Sequence, residues 1–163
     1  MKPKIKIELL KKYPELIIDA ATLWYNNLGY LNPEHSLLSA IEITKKGITG
    51  KNEKWSVTVI ALDNKKVVGQ AVLLEHFTEL HVSLKPVLVG LCVDLNYRNQ
   101  GIGKQLIESI EEQAHFLHFK KLYLFVTNKT LPQWYKKLGW HDSLVHCNFN
   151  GKLAIIMEKN ISI

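Results

Sequence analysis

Apolar positions recur along the chain with two periods, and the changes between them divide it into elements. Ile5 to Leu10 alternates as a short strand. From Pro14 the spacing becomes helical, with Leu16, Ile17, Ala20, Leu23 and Trp24 on one side. Asn32-Pro33 has the form of a cap and first-turn pair for a second helix carrying Leu37, Leu38 and Ile41 and closed by Gly47. Ile48 to Lys54 is polar and predicts a loop. Trp55 to Leu62 and Val67 to Phe77 are rich in β-formers and flank Asp63-Asn64-Lys65-Lys66, which predicts a hairpin. Val87 to Val93 is apolar on both faces and predicts a central strand. Beyond it, Gly101 opens a helix carrying Ile102, Leu106, Ile110, Ala114 and Leu117 and reaching about Phe119. Leu122 to Val126 predicts a further buried strand, Leu131 to Leu138 a short helix closed by Gly139, and Asn150-Gly151 the turn of a final hairpin. The order is β-α-α-β-β-β-α-β-α-β-β, an α/β fold with a mixed sheet. No repeat or linker divides it, so residues 1 to 163 are expected to form one domain.

Composition narrows the setting. With 163 residues, 47% hydrophobic and 22% charged, the chain can bury a core of its own. The N-terminal Met1-Lys2-Pro3-Lys4-Ile5-Lys6 lacks the apolar stretch of a secretory signal, and no apolar run approaches the ~18 residues of a membrane span. A cytoplasmic protein without a membrane partner is expected. Cys92 and Cys147 lie in separate predicted strands without a C-x-x-C pattern, which predicts two reduced, packed thiols. The net charge of +6 is spread over lysine pairs at element ends, the pattern of solvated termini, and gives no nucleic-acid groove. Twenty of the 21 basic residues are lysine, and Arg98 is the lone arginine. A guanidinium grips phosphate oxygens in pairs where an ammonium does not, so Arg98 marks a candidate anion site.

The segment around it supports that reading. Arg98-Asn99-Gln100-Gly101-Ile102-Gly103-Lys104 joins a predicted strand to a predicted helix. Such a junction gathers backbone N–H groups and the positive end of the helix dipole at one point, and glycines at 101 and 103 permit positive φ and close approach. There is no G-x-x-x-x-G-K-[ST] phosphate loop, and the third glycine of a dinucleotide fold is missing, since Lys104, Gln105 and Leu106 follow Gly103.

Arg98-x-x-Gly101-x-Gly103 resembles the (Q/R)xxGxG pyrophosphate signature of GNAT acyltransferases. Asn128, Leu131, Trp134, Tyr135, Gly139 and Trp140 resemble the family's N-x-x-A-x-x-F-Y-x-x-x-G-F segment, with Leu for Ala and Trp at both Phe positions. Together with the element order, the resemblance covers essentially the whole chain. It implies a sheet splayed between its fourth and fifth strands, with the pantetheine of acetyl-CoA pairing to the backbone near Leu91 and Val93. It further implies pyrophosphate on Arg98, Gln100, Gly101, Gly103 and Lys104. Asn128 would contact the pantetheine arm; a capping or strand-end asparagine is the alternative.

Acetyl transfer to an amine needs a neutral amine, a donor for the oxyanion and a proton for the departing thiolate. An alkyl amine with a pKa near 10.4 is neutral about once in a thousand at pH 7.4, so a base is useful. Glu75 is the first candidate, with His76, Glu79, His81 and Asp94 as substitutes. The Val93 N–H would meet the oxyanion. Tyr135, matching the family's tyrosine, would supply the proton; packing beside Trp134 is its alternative role. His115, His118, His141 and His146 lack a second spaced pair of ligands, so no metal is expected. Cys92, mid-strand and without a partner base, reads as core. The function expected is direct N-acetyl transfer from acetyl-CoA to a primary amine of a small molecule or protein. The alternative is a non-catalytic acyl-CoA-binding sensor or scaffold of the same fold. A homodimer is compatible with the family, and Glu34, Glu75 and Glu79 could attract a cationic acceptor.

Overall fold

The computed structural model describes residues 3–49, 56–77 and 83–161. Among them the elements run β1 (Ile5–Leu9), α1 (Ile17–Asn27), α2 (Leu37–Thr49), β2 (Ser56–Asp63), β3 (Lys66–Leu74), β4 (Val87–Val93), α3 (Ile102–Phe116), β5 (Lys121–Val126), α4 (Leu131–Lys137), β6 (His141–Phe149) and β7 (Lys152–Asn160). The strands are hydrogen-bonded in the order β1-β2-β3-β4-β5-β7-β6. The β4–β5 pair is parallel, with Val87 opposite Tyr123 and Leu88 opposite Leu124. Among the described residues the register stops there, while β4 continues to Val93 and β5 to Val126. A mixed sheet whose parallel pair is joined over only part of its length is the predicted α/β fold. The chain divides into two compact units, Met1–Val72 with Gly90–Ile110, and Leu73–Val89 with Glu111–Ile163.

In the first unit β1 runs antiparallel to β2, from Ile5 opposite Asp63 to Leu9 opposite Val59. Leu10, Ala20, Ile60, Leu62 and Val67 form a core against which Tyr13, Leu16, Leu23 and Ile48 pack. Small residues on the buried side of α1, Ala20 and Ala21, let the helix approach the strands closely. Ile102, Leu106, Ile107 and Ile110 of α3 are fully buried at i, i+4, i+5 and i+8, the stripe of an amphipathic helix.

The second unit is built on β5 and β7, antiparallel from Lys121 opposite Asn160 to Val126 opposite Ile155. Phe77 stacks on Phe125 and both meet Phe149 at a tilt, with centroids 5.0 to 5.8 Å apart, against Ala154 and Ile156. β6 joins β7 with a register shift between Asp142 and His146. Asn150 and Gly151 take φ of 49° and 74°, the left-handed pair a tight hairpin requires.

Several boundaries differ from the sequence reading for local reasons. Pro14 opens a 3-10 turn, and the α-helix starts at Ile17. Asn32 does not cap α2: its Oδ1 accepts from the Glu34 N–H at 3.0 Å and its carbonyl from His35 at 3.0 Å, closing a turn. Ser36 caps the helix instead. Its Oγ accepts from Ser39 N (3.1 Å) while Ser39 Oγ accepts from Ser36 N (2.8 Å), a reciprocal capping box. Gly47 lies inside α2 rather than at its end; a Cβ there would sit 2.7 Å from Ser56 Oγ, which donates to the Gly47 carbonyl at 3.0 Å. β3 ends at Leu74, and Phe77 joins the aromatic cluster from an irregular segment. α3 stops at Phe116, with His118 in the left-handed region at φ 66° and Phe119 N bonding back to Ala114 O. The start of the second predicted strand, Trp55, lies outside the described residues.

Candidate active site

In the first unit, β4 runs through Leu91, Cys92 and Val93 into a 3-10 turn, Leu95–Tyr97, and then the loop. Asp94 caps that turn, accepting from Asn96 N at 2.9 Å, and its other oxygen lies 3.4 Å from Lys66 Nζ. Tyr97 donates to Asp63 Oδ2 at 2.8 Å beneath the Lys66 ammonium, which lies 5.0 Å from its ring. These interactions anchor the start of the loop to the β2–β3 hairpin. They also commit both Asp94 oxygens to structural partners, which weakens it as a substitute base.

Past the anchor, Asn99 has φ 59° and Gly101 φ 81°. A Cβ at Gly101 would meet nothing within 4 Å, so the turn opens outward. Gly103 is not among the positive-φ glycines; it lies in the first turn of α3, so of the two glycines only Gly101 uses the left-handed region. The first rung of the helical ladder is Gln105 N to Gly101 O at 3.1 Å. The N–H groups of Ile102, Gly103 and Lys104 precede that rung and lie at the positive end of the α3 dipole. Lys104 is exposed, with its ammonium 3.6 Å from Glu108. Gln100 donates to the Asn96 carbonyl at 3.3 Å.

Arg98 is exposed but already partly engaged. Its Nε donates to the Val93 carbonyl at 3.0 Å and its Nη2 to Asn27 Oδ1 at 3.0 Å. Of the five N–H groups a guanidinium carries, two thus tie the loop to the end of β4 and to α1. Asp94 N bonds to Val68 O on β3 at 2.8 Å, so by strand alternation the Val93 N–H and C=O point away from β3. Within β4, Gly90 has φ 63°, a bulge-like kink just before Leu91 and Val93. Strand periodicity missed it, although an isolated glycine inside an apolar strand is its usual signal.

The second unit carries the other candidates. Tyr135, on α4, is 6% exposed, with its ring edge-on to Trp134 at 4.9 Å and to Trp140 at 6.1 Å. Burial pushes the phenol up from 10.0 to about 12. Asn128 Oδ1 accepts from Thr130 N and Thr130 Oγ1, both at 2.7 Å. That is a local Asx turn in the loop before α4, and it leaves the Nδ2 amide for other acceptors. Glu75 is half-buried just after β3, 3.8 Å from His76 Nε2. Glu79 and His81 lie outside the described residues.

Burial also holds the Cys92 thiol near 12, against a smaller opposing hydrogen bond from the Gln70 backbone, so the thiol is no nucleophile at neutral pH. Both cysteines are free. Among the described residues no group of three or more His, Cys, Asp or Glu could hold a metal ion, and no helix is long and apolar enough to cross a membrane.

A mixed sheet with a parallel β4–β5 pair, followed at the end of β4 by an outward-opening glycine turn that leads into α3, is an α/β fold. A family model for the GNAT acetyltransferase domain matches residues 54–142, and the chain belongs to that family. No curated protein matches the chain. Among solved structures it is similar to an aminoglycoside 6'-N-acetyltransferase complexed with coenzyme A, at 18% identity and TM-score 0.74, covering 97% of this chain and 98% of that one. The Enterococcus faecium aminoglycoside 6'-N-acetyltransferase gives 18% identity, TM-score 0.73 and the same coverage. A spermidine N-acetyltransferase SpeG chimera from Vibrio cholerae and hSSAT gives 17%, 0.69, and 97% and 96% coverage. At such identities the likeness concerns the fold.

Proposed function

We propose that the protein transfers an acetyl group from acetyl-CoA to a primary amine by direct attack, acting in the cytoplasm as one domain. The observation that carries this reading is the turn at Gly101, where a side chain would meet nothing within 4 Å, immediately before the N–H groups at the start of α3. It suits a pyrophosphate, which needs donors and close approach without a side chain in the way. Arg98 retains three N–H groups for the phosphates, Lys104 adds charge, and Gln100 and the glycines contribute backbone. Leu91 and Val93 offer main-chain groups to the pantetheine arm, and the Asn128 amide offers another donor.

In the transfer itself, Glu75 accepts a proton from the amine, directly or through water, as the C–N bond forms. The Val93 N–H donates to the acyl oxygen as negative charge develops there. As the C–S bond breaks, Tyr135 donates a hydrogen bond to the departing sulfur. A thiol has a pKa near 8.5, so complete proton transfer from a phenol near 12 is uphill by roughly 5 kcal/mol. Stabilisation of the developing thiolate is therefore the larger part of what Tyr135 contributes.

At about 100 times its dissociation constant acetyl-CoA should add ~2.7 kcal/mol, or roughly 5 to 10 °C in Tm. ATP and NADH should not match it. The same preparation should release CoA thiol with at least one member of a panel of polyamines, aminoglycosides, amino acids and peptides. A thermal shift without thiol release from any amine would favour the acyl-CoA sensor, and no shift at millimolar acetyl-CoA would remove the cofactor assignment.

A further inference from the structure

Both partners of the Arg98 guanidinium are neutral. Nε donates to the Val93 carbonyl and Nη2 to Asn27 Oδ1, each at 3.0 Å. Among the described residues Arg98 makes no ion pair with a carboxylate. Asp94, the carboxylate closest to it in sequence, has its oxygens on Asn96 N and Lys66 Nζ instead. A carboxylate partner would hold a guanidinium in place but offset its charge. Amide and peptide oxygens hold it while leaving the full charge for another anion.

The Asn27 side chain is itself fixed. Its Nδ2 donates to the Leu23 carbonyl, one turn earlier in α1, at 2.8 Å, so the oxygen is the end of the amide left to face the guanidinium. Asn27 is also the last residue of α1, where the helix dipole is negative and a cation is favoured. At the other attachment, the peptide between Val93 and Asp94 is bonded on both sides: its carbonyl accepts from Arg98, and its N–H donates to Val68 O at 2.8 Å. The guanidinium thus spans two fixed points, the end of α1 and the end of β4. An arginine that is free in solvent gives up rotamer freedom when it grips an anion, whereas one already fixed has lost that freedom on folding.

We infer that Asn27 is a positioning residue for the cofactor: its neutral oxygen fixes Arg98 without offsetting its charge, so that the remaining guanidinium N–H groups meet the pyrophosphate of acetyl-CoA already oriented. The inference rests on the acetyl-transfer reading and extends the cofactor site to α1, 71 positions from Arg98 in sequence.

The test uses the full chain and two acetyl donors, acetyl-CoA and S-acetylpantetheine, which share the thioester and the pantetheine arm and differ in that only the first carries phosphates. Asn27→Ala should lower the ratio of kcat/KM for acetyl-CoA to kcat/KM for S-acetylpantetheine about tenfold, the effect of one lost charge-assisted contact. In calorimetric titration the Kd for acetyl-CoA should rise by a similar factor. In an Arg98→Ala background the same substitution should change that Kd by less than about twofold, because nothing is left for Asn27 to position. Asn27→Gln keeps a neutral acceptor and should hold the ratio within about threefold of wild type. Asn27→Asp keeps the shape but sets a negative charge beside the guanidinium, and should lower the ratio at least as far as Asn27→Ala. Equal losses with the two donors, additive effects of Asn27→Ala and Arg98→Ala on Kd, or a wild-type ratio in Asn27→Asp would overturn the inference. Failure of the parent reading looks different: wild-type protein would then show neither the acetyl-CoA thermal shift nor thiol release.

Discussion

Tyr135 combines a polar atom with a nearly closed aromatic setting, and its two roles separate in one variant. Tyr135→Phe keeps the ring against Trp134 and Trp140 and deletes the oxygen. If that oxygen stabilises the leaving sulfur, kcat should fall by about 10²-fold, the lower end for a positioned acid, while acetyl-CoA affinity stays near wild type. Wild-type kcat on an acceptor for which chemistry is rate-limiting would return Tyr135 to a packing role. The residue types at this site were legible in the sequence, but their existing partners were not. Asn128 reads equally as a ligand or as a strand-end or capping residue, and only the structure shows the two Thr130 donors at 2.7 Å from its oxygen. Arg98 reads as a free fork until Val93 and Asn27 are seen on it. Asn27 is 71 positions away in sequence, and no local pattern encodes such a pairing.

Among the elements, the loop between β4 and α3 is the one whose backbone conformation and proposed chemistry coincide. Gly101→Ala puts a side chain at φ 81° without any internal clash, so its cost should come from the left-handed backbone alone, about 1 to 2 kcal/mol. Because the added Cβ points into the space proposed for phosphate, acetyl-CoA affinity should fall as well. Urea denaturation and calorimetric titration measure the two effects separately. Lost stability with unchanged affinity would move the pyrophosphate elsewhere. Element order was legible because buried strands and amphipathic helices repeat at different periods. Boundaries were less so. Asn32-Pro33 and Ser36 are both capping chemistry, and only the reciprocal bonds between Ser36 and Ser39 decide which begins α2. Gly47 resembles a helix stop, yet it answers the close approach of Ser56 from a later strand.

For the chain as a whole, alkali should be more damaging than the even spread of lysines suggests. Burial raises Cys92 from 9.0 to about 12 and Tyr135 from 10.0 to about 12. The unfolded chain releases these protons from about pH 9 upward while the folded chain holds them, so stability is full below that point and declines as pH rises toward 12. Lys121, raised chiefly by its hydrogen bond to Glu158, acts in the same direction, since its charged form is the one the fold favours. The two buried groups together correspond to a loss on the order of 5 kcal/mol. Urea midpoints between pH 7 and 11.5 should therefore fall, with a shallower slope in the Cys92→Ala, Tyr135→Phe double variant; a slope equal to wild type would assign the loss to other groups. The one arginine among 21 basic residues has a further consequence. A dicarbonyl reagent such as phenylglyoxal has a single guanidinium to modify, and an arginine-specific protease a single bond to cut, after Arg98. Reagents that in most proteins scatter over many positions would here label or sever the chain at one defined point, next to the proposed phosphate-binding turn.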